Sequence, residues 1–333
     1  MLAKLSMPIL HACVPRERLF ARLDVRTSHP IMWICGPAGA GKSSLVASYV
    51  ESRRLRAAWI HLDAGDKEPG TFFYFLRELL PAGARERVPV LTPEHALSLP
   101  AFCHQFFRAM FAAIPHGSVL VLDNLQDAMC PELGAILKEG LAEVPSTHSL
   151  MLLSRDRIPA ELSRFVLSRS LEVVDWEDLK LTQEDAVAMA PRLGISDQRA
   201  RTLRDRSDGW VAGLVLLSAD AGSAYRRLDK EALFDYLASE VFDQASPSEQ
   251  ELLLASSLVS DFDAALLAEV TGFVDARQVL DRLYRTQHFV TRTQGEDPAF
   301  RLHALFREFL LNRLALEKTE TELRSMRAAA ADA

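Results

Sequence analysis

The sequence predicts an α/β fold with a parallel sheet, followed by an α-helical domain and a winged-helix domain. Up to Arg155, short apolar runs alternate with amphipathic segments, which is typical of parallel strands joined by helices. After about Val174 the strand pattern fades and helical periodicity takes over. Near the end, two short strand-like runs flank a Gly-Glu-Asp-Pro turn before a final helix, which is the order of elements in a winged helix.

Four apolar runs in the first half are predicted strands, and three segments between them are predicted helices. The strands are Pro30–Gly36, Ala57–Asp63, Ser118–Asp123 and His148–Arg155, and the helices start at Lys42, Thr71 and Leu99. In the second half, Thr182 and Asp185 have capping-box spacing, and Gly194 closes the same apolar pattern. We therefore expect a helix between Thr182 and Gly194.

Length and composition indicate a multi-domain protein without a membrane span. The chain has 333 residues, 49% of them hydrophobic, and no apolar stretch long enough to cross a bilayer. The net charge of −7 argues against a nucleic-acid-binding surface overall. Four separated cysteines without a CxxC pair suit a reducing compartment, so we expect a cytoplasmic location. The predicted domains are 1–170, 171–225 and 226–316, and 317–333 is a frayed tail or the start of a linker.

The segment "GPAGAGKS" fits the phosphate-binding pattern G-x-x-x-x-G-K-[ST] in full. It lies after an apolar strand and at the start of a helix, where backbone N–H groups and the helix dipole favour a phosphate. Lys42 is expected to reach the β- and γ-phosphates, and Ser43 to place its hydroxyl on Mg²⁺. The α/β domain is therefore predicted to be a P-loop NTPase domain, with ATP or ADP and Mg²⁺ as its ligands. The predicted nucleotide-binding residues here are Gly36, Pro37, Ala38, Gly39, Ala40, Gly41, Lys42, Ser43 and Ser44.

The run "SVLVLDNLQDA" ends a predicted strand at Asp123, which is the expected second Mg²⁺ ligand. The next residue, Asn124, is an amide and cannot accept a proton from water. Where an acid serves as general base, its loss costs roughly 10²- to 10⁴-fold in rate. Asp127 is the nearest replacement, so Asp123 and Asp127 are the catalytic candidates. The sequence predicts nucleotide binding with slow hydrolysis at most.

Five further segments resemble those of a known family of signalling ATPases. They are "VPRERLFARL", "WIHLDAGDKEPGTFFYFL", "LLSRDRIP", "SDGWVAGLVLLS" and "RLHALFREFL", in that order from about Val14 to Leu316. Together with the phosphate loop they resemble the STAND class, and more closely the MalT-like, LuxR-type large ATP-binding transcriptional regulators of bacteria. That family continues into a superhelical sensor domain and a DNA-binding helix-turn-helix. Neither fits within 333 residues, so the resemblance implies a fragment or a shortened member.

The resemblance implies roles for two arginines. Arg16 would lie near the adenine side of the nucleotide, and the alternative is a solvated charge pair of Arg16 with Glu17. Arg155 directly follows a buried strand and should emerge at the same sheet edge as Asp123. A guanidinium there can donate hydrogen bonds to the γ-phosphate and so distinguish ATP from ADP. The alternative for Arg155 is a surface salt bridge, and Arg157 is expected to be solvated.

Four other residues have competing interpretations. The resemblance places His303 against the ADP phosphate in a closed, inactive form, and the alternative is a packed, hydrogen-bonded histidine. Trp210 is expected to pack in the core of the helical domain. Asp63 and Asp66 are expected to cap the helix that follows rather than to contact nucleotide.

The resulting functional hypothesis is a nucleotide-dependent switch. ADP would bridge the nucleotide-binding and winged-helix domains through His303, and ATP would favour an open, self-assembling form. An unknown inducer or regulatory protein would complete the switch, and DNA would be bound only through a domain absent from this chain. The alternatives are an active AAA+-like ATPase and a non-catalytic scaffold with structural nucleotide. A GTPase is excluded because its base-reading N/T-K-x-D motif is missing.

Overall fold

A computed structural model describes residues 2–10, 13–218, 228–273, 275–286, 289–292 and 299–332. The chain forms two compact units. The first comprises Met1–Gly36 and Gly41–Leu179, and the second comprises Pro37–Ala40 and Lys180–Ala333. Four residues from the middle of the phosphate-binding motif therefore belong to the second unit.

The first unit is built on a five-stranded parallel sheet of order β2-β3-β4-β1-β5. The strands are β1 Ile31–Cys35, β2 Ala57–His61, β3 Val119–Asp123, β4 Ser149–Ser154 and β5 Leu171–Val174. The four predicted strands are confirmed. Every residue of β1, β3 and β4 is buried, because helices cover both faces of a parallel sheet. The fifth strand is not among those predicted, because four residues give too short a pattern.

Nine α-helices connect or flank these strands in the described part of the first unit. They are α1 Glu17–Leu23, α2 Lys42–Ser52, α3 Pro69–Glu78, α4 Ala82–Arg85, α5 Leu99–Ala113, α6 Leu125–Ala128, α7 Pro131–Leu141, α8 Ser163–Leu167 and α9 Trp176–Leu179. An aromatic cluster fills the space between α3 and α5. The Phe73 ring meets those of Phe102, Phe106 and Phe107 edge-on, at centroid distances of 4.9, 4.6 and 6.2 Å.

Two ion pairs of Lys4 connect the N-terminal segment to the loop after β2. Asp63 and Asp66 form a reciprocal capping box at a short 3-10 turn, which confirms the predicted capping role. The Lys4 ammonium lies 2.6 Å from a carboxylate oxygen of each aspartate. Because Asp66 is fully buried, Lys4 supplies the positive charge that its carboxylate needs. Nothing local in the sequence predicts this pairing.

The second unit is mainly helical and ends in a small hairpin and two helices. Its elements are α10 Gln183–Leu193, α11 Asp197–Arg206, α12 Val211–Ser218, α13 Leu228–Leu237, α14 Pro247–Ser256, α15 Ala264–Thr271, α16 Ala276–Arg285, β6 Val290–Arg292, β7 Phe300–Leu302, α17 Ala304–Glu317 and α18 Glu320–Asp332. The predicted capping box at Thr182 and the left-handed Gly194 at the end of α10 are both confirmed.

The predicted hairpin before the last helices is present. Strands β6 and β7 pair antiparallel, with Val290 opposite Leu302, and the predicted Gly-Glu-Asp-Pro turn lies outside the described residues. The tail differs from the expectation of fraying, because α18 runs from Glu320 to Asp332. Thr319 and Glu322 cap its start reciprocally, and its alanine run has high helix propensity. Within the described residues, no helix is long and apolar enough to span a membrane.

Candidate functional site

The phosphate-binding motif follows β1 at the carboxyl edge of the sheet, where α/β proteins bind their ligands. Gly39 and Gly41 have φ angles of +70° and +84°, a region that favours glycine. The Ala40 N–H donates to the Pro37 carbonyl at 3.2 Å, which closes a tight turn between the two. Gly41 is the N-cap of α2, so the first helical residue is Lys42.

Lys42 carries a positive charge and is partly buried. Its Nζ donates to the Gly36 carbonyl at 2.7 Å. Burial, and secondarily repulsion from the Arg155 guanidinium, lower the pKa of Lys42 to about 8. Two cations that repel each other would be stabilised by an anion, so these side chains fit a phosphate group.

Asp123 ends β3 and is almost fully buried. One carboxylate oxygen accepts the Asn124 backbone N–H at 2.9 Å, and the other lies 3.3 Å from Nδ1 of His61. His61 ends the neighbouring strand β2 opposite Asp123, and this hydrogen bond raises the pKa of the imidazole. Oxygen ligands of this type suit Mg²⁺, as does the hydroxyl of Ser43 at the start of α2. His61 was not among the predicted site residues, although it lies near the end of the predicted strand Ala57–Asp63.

Asn124 has a left-handed backbone conformation, with φ +58° and ψ 39°. Asparagine and aspartate tolerate this region better than other non-glycine residues. Asn124 therefore suits the sharp turn from β3 into α6, whatever its effect on hydrolysis. Asp127 lies within α6 and is exposed.

Arg155 lies directly after β4, next to β3, so it emerges at the same edge of the sheet as Asp123, as expected. Its backbone N–H donates to Oε1 of Gln126 at 3.0 Å. Burial raises the pKa of Asp156 to about 6, opposed by the Arg155 guanidinium and assisted by the Asp127 charge. Gln126 and Asp156 were not among the predicted site residues. Arg157 is exposed.

Arg16 is the N-cap of α1 and is buried. Its Nη2 donates to the Leu179 carbonyl at 2.9 Å, at the end of α9. The alternative of a solvated Arg16 is wrong, because the side chain is buried. Glu17 is exposed and lies 3.2 Å from Nη2 of Arg53. A place for Arg16 near adenine stays a prediction.

In the second unit, Trp210 is fully buried, as predicted, and it also holds the phosphate-binding motif. The indole N–H donates to the Ala38 carbonyl at 2.9 Å, a contact between residues 172 positions apart. The Ala212 N–H, in the first turn of α12, donates to the Gly39 carbonyl at 3.0 Å. No sequence pattern signals either bond.

His303 is buried and is the N-cap of α17. Nε2 lies 3.0 Å from the Ser207 carbonyl, and burial lowers the pKa of the imidazole. Nδ1 has no hydrogen-bond partner among the described residues. The ring is 6.0 Å from that of Trp210 and 5.5 Å from that of Phe289. The histidine is thus packed and hydrogen-bonded, with one ring nitrogen unused. Its predicted contact with ADP stays a prediction.

Comparisons with known proteins find similarity to MalT both in the C-terminal part of the chain and over nearly its whole length. Residues 238–322 match the MalT winged helix domain. HTH-type transcriptional regulator MalT of Cronobacter sakazakii is 28% identical over 99% of this chain, and that of Vibrio cholerae is 25% identical over 98%. The chain spans 38% of the length of each of these relatives.

A solved structure has a similar fold. A Walker-type ATPase of Pyrococcus abyssi is 12% identical, with 88% of this chain and 93% of that chain covered and a TM-score of 0.57. At this identity the similarity concerns the fold alone, and it agrees with the parallel sheet and the phosphate-binding motif described above.

Proposed function

We propose that this chain, which is a MalT-like P-loop protein with a winged-helix domain, is the ATP/ADP-binding switch module of a bacterial transcriptional regulator. One observation carries the proposal. The phosphate-binding motif has its partly buried lysine in place, whereas the position after Asp123 holds an amide. That combination supports holding a nucleotide over consuming it.

In this proposal the loop and two cations bind the phosphates. The backbone of Gly36–Ser43 and the Lys42 ammonium hold the β- and γ-phosphates, and the Arg155 guanidinium recognises the γ-phosphate. Ser43 and Asp123 would hold Mg²⁺, which when bound neutralises phosphate charge. His61 and the Asn124 N–H orient the Asp123 carboxylate.

Hydrolysis is proposed to be slow because no carboxylate follows Asp123. A positioned general base contributes about 10²- to 10⁴-fold to a rate. The exposed Asp127 is separated from Asp123 by the turn at Asn124. A long-lived ATP-bound state is the property that a switch requires.

ADP is proposed to favour a closed, inactive form through His303, and ATP an open form that assembles with copies of itself. A complete reversal from 1:99 to 99:1 requires about 10⁴-fold difference in affinity, or about 5.5 kcal/mol. A charge-assisted contact of Arg155 with the γ-phosphate supplies about 1.5–3 kcal/mol of that. An inducer or regulatory protein is proposed to supply the remainder, in the cytoplasm. DNA is proposed to be bound through a helix-turn-helix outside this sequence.

The test is nucleotide binding, exchange and assembly of the purified chain. We expect bound ADP that exchanges, slow turnover, and a larger light-scattering mass in ATP·Mg²⁺ than in ADP. Lys42→Ala is expected to weaken ADP binding by about 10- to 100-fold, because a charge-assisted bond is lost. Lys67→Ala, at an exposed lysine, is the matched control and should bind as the unchanged protein does.

Other outcomes would support a different function. Fast steady-state hydrolysis that rises on assembly would refute the slow switch and favour an AAA+-like ATPase. Nucleotide that never exchanges and leaves the mass unchanged would favour a scaffold. Absence of any nucleotide binding would refute the proposal outright.

A further inference from the structure

Trp210 makes one hydrogen bond with its indole N–H, and the acceptor is the Ala38 carbonyl of the phosphate-binding motif. Both residues belong to the second unit, which includes Pro37–Ala40. The side chain of Trp210 is fully buried, and its N–H would be costly to leave unpaired. The indole orientation and the Ala38 peptide therefore depend on each other.

A second bond to the same segment comes from the start of α12. The first N–H groups of a helix have no partner within the helix, and that of Ala212 is satisfied by the Gly39 carbonyl at 3.0 Å. Ala212 lies so close to Gly39 that any side chain at position 39 would clash with it. A Cβ added to Gly39 would lie 2.5 Å from Cβ of Ala212 and 3.1 Å from Nε1 of Trp210. Two successive carbonyls of the motif are thus held by Trp210 and Ala212.

Fixing the Ala38 carbonyl also fixes the following amide. In a planar trans peptide the C=O and the next N–H point in opposite directions. The Gly39 N–H therefore points away from the indole, and it has no hydrogen-bond partner among the described residues. An unpaired N–H in a phosphate-binding loop is a donor available to an anion.

We propose that Trp210 is a positioning residue for phosphate binding: its indole N–H holds the Ala38 carbonyl and thereby aims the Gly39 N–H at a phosphate oxygen. This inference rests on the proposed nucleotide binding. It assigns a role to the tryptophan beyond core packing.

The remaining surroundings of Trp210 keep the indole in this orientation. Its ring meets Phe289 edge-on at 5.0 Å and lies 5.9 Å from the ring of Tyr236. Gly213 leaves it room, because a Cβ there would lie 2.5 Å from Cε3 of the indole. The ring also contacts His303, so the phosphate-binding motif and the residue proposed to contact ADP meet the same side chain.

The test compares two tryptophan-to-phenylalanine variants by calorimetric binding of ADP and pyrophosphate. Trp210→Phe keeps an aromatic ring and removes the N–H that holds Ala38. Trp59→Phe is the matched control, because Trp59 is also buried and its N–H has no partner among the described residues. We expect Trp210→Phe to weaken both ligands about 3- to 30-fold and Trp59→Phe to change them less than about twofold.

Adenosine separates positioning of phosphate from general loosening of the site. Since it has no phosphate, whatever adenosine affinity the unchanged protein has should be retained in Trp210→Phe. Equal ADP affinity in a folded Trp210→Phe variant and the unchanged protein would overturn the inference and leave the proposed function intact. Failure of the unchanged protein to bind ADP would refute both.

A measurement on the unchanged protein covers the case in which Trp210→Phe does not fold. The chain has four tryptophans, so its indole N–H resonances can be assigned by elimination with variants of the other three. Pyrophosphate should shift the Trp210 signal and leave that of Trp59 in place. An unmoved Trp210 signal at saturating pyrophosphate would contradict the inference.

Discussion

Replacement of Gly39 by alanine tests how tightly the phosphate-binding motif is packed in the second unit. Gly39 has φ +70°, and an added Cβ would lie 2.5 Å from Cβ of Ala212 and 3.0 Å from Oη of Tyr236. Ordinary carbon–carbon contacts are about 3.5–4.0 Å, so the methyl group overlaps its neighbour by at least about 1 Å. Either α12 or the loop must move.

The expected cost has two parts. A left-handed conformation costs a non-glycine residue about 1–2 kcal/mol. Overpacking against a well-packed neighbour adds about 1–3 kcal/mol. The free energy of unfolding of the second unit should therefore fall by about 2–5 kcal/mol in Gly39→Ala.

The variant Gly272→Ala measures the cost of the left-handed conformation alone. Gly272 belongs to the same unit and has φ +75°, but an added Cβ would meet nothing within 4 Å. Urea unfolding of both variants, followed by circular dichroism, should show Gly39→Ala less stable than Gly272→Ala by about 1–3 kcal/mol. Equal losses in the two variants would refute the packing of Gly39 against α12.

Three further predictions concern other residues. Asn124→Asp should fold normally, because aspartate suits φ +58°, and should raise ATP hydrolysis by up to about 10²-fold in a phosphate-release assay; an unchanged rate would show that the amide does not limit turnover. Burial lowers the pKa of His303, so the unfolded chain binds more protons and unfolding free energy should fall as pH drops below about 6.5, by up to about 1.4 kcal/mol per pH unit. His303→Gln should flatten that dependence in melts at pH 5 to 7, and an unchanged pH profile would contradict the assignment. Lys4→Met leaves the buried Asp66 carboxylate without its cation and should cost about 1–3 kcal/mol in urea unfolding; no loss would show that the pair is not stabilising.

Local patterns were sufficient for much of the first unit and for one helix of the second. Two functional features could be predicted without a structure because each lies in one continuous segment: the motif Gly36–Ser43 and the strand that ends at Asp123. The helix between Thr182 and Gly194 was predicted from its two ends, since a capping box and a left-handed glycine act within a few residues. Arg155 was placed at the correct sheet edge because parallel strands end together.

Contacts between distant residues could not be predicted in the same way. The burial of Arg16 against Leu179 depends on where α9 ends, and the pairing of His61 with Asp123 depends on the order of strands in the sheet. The helix at Glu320–Asp332 was missed because its alanine run has no apolar periodicity.

By itself, the sequence determined the phosphate-binding loop, the alternation of strands and helices, and the amide after Asp123. Only the tertiary structure decided that Trp210 holds the Ala38 carbonyl and that Gly39 must be glycine for the approach of Ala212. The physical reason is the sequence separation of the residues that interact. Backbone conformation and capping are set by residues a few positions apart, whereas a hydrogen bond across 172 positions exists only after the elements have packed.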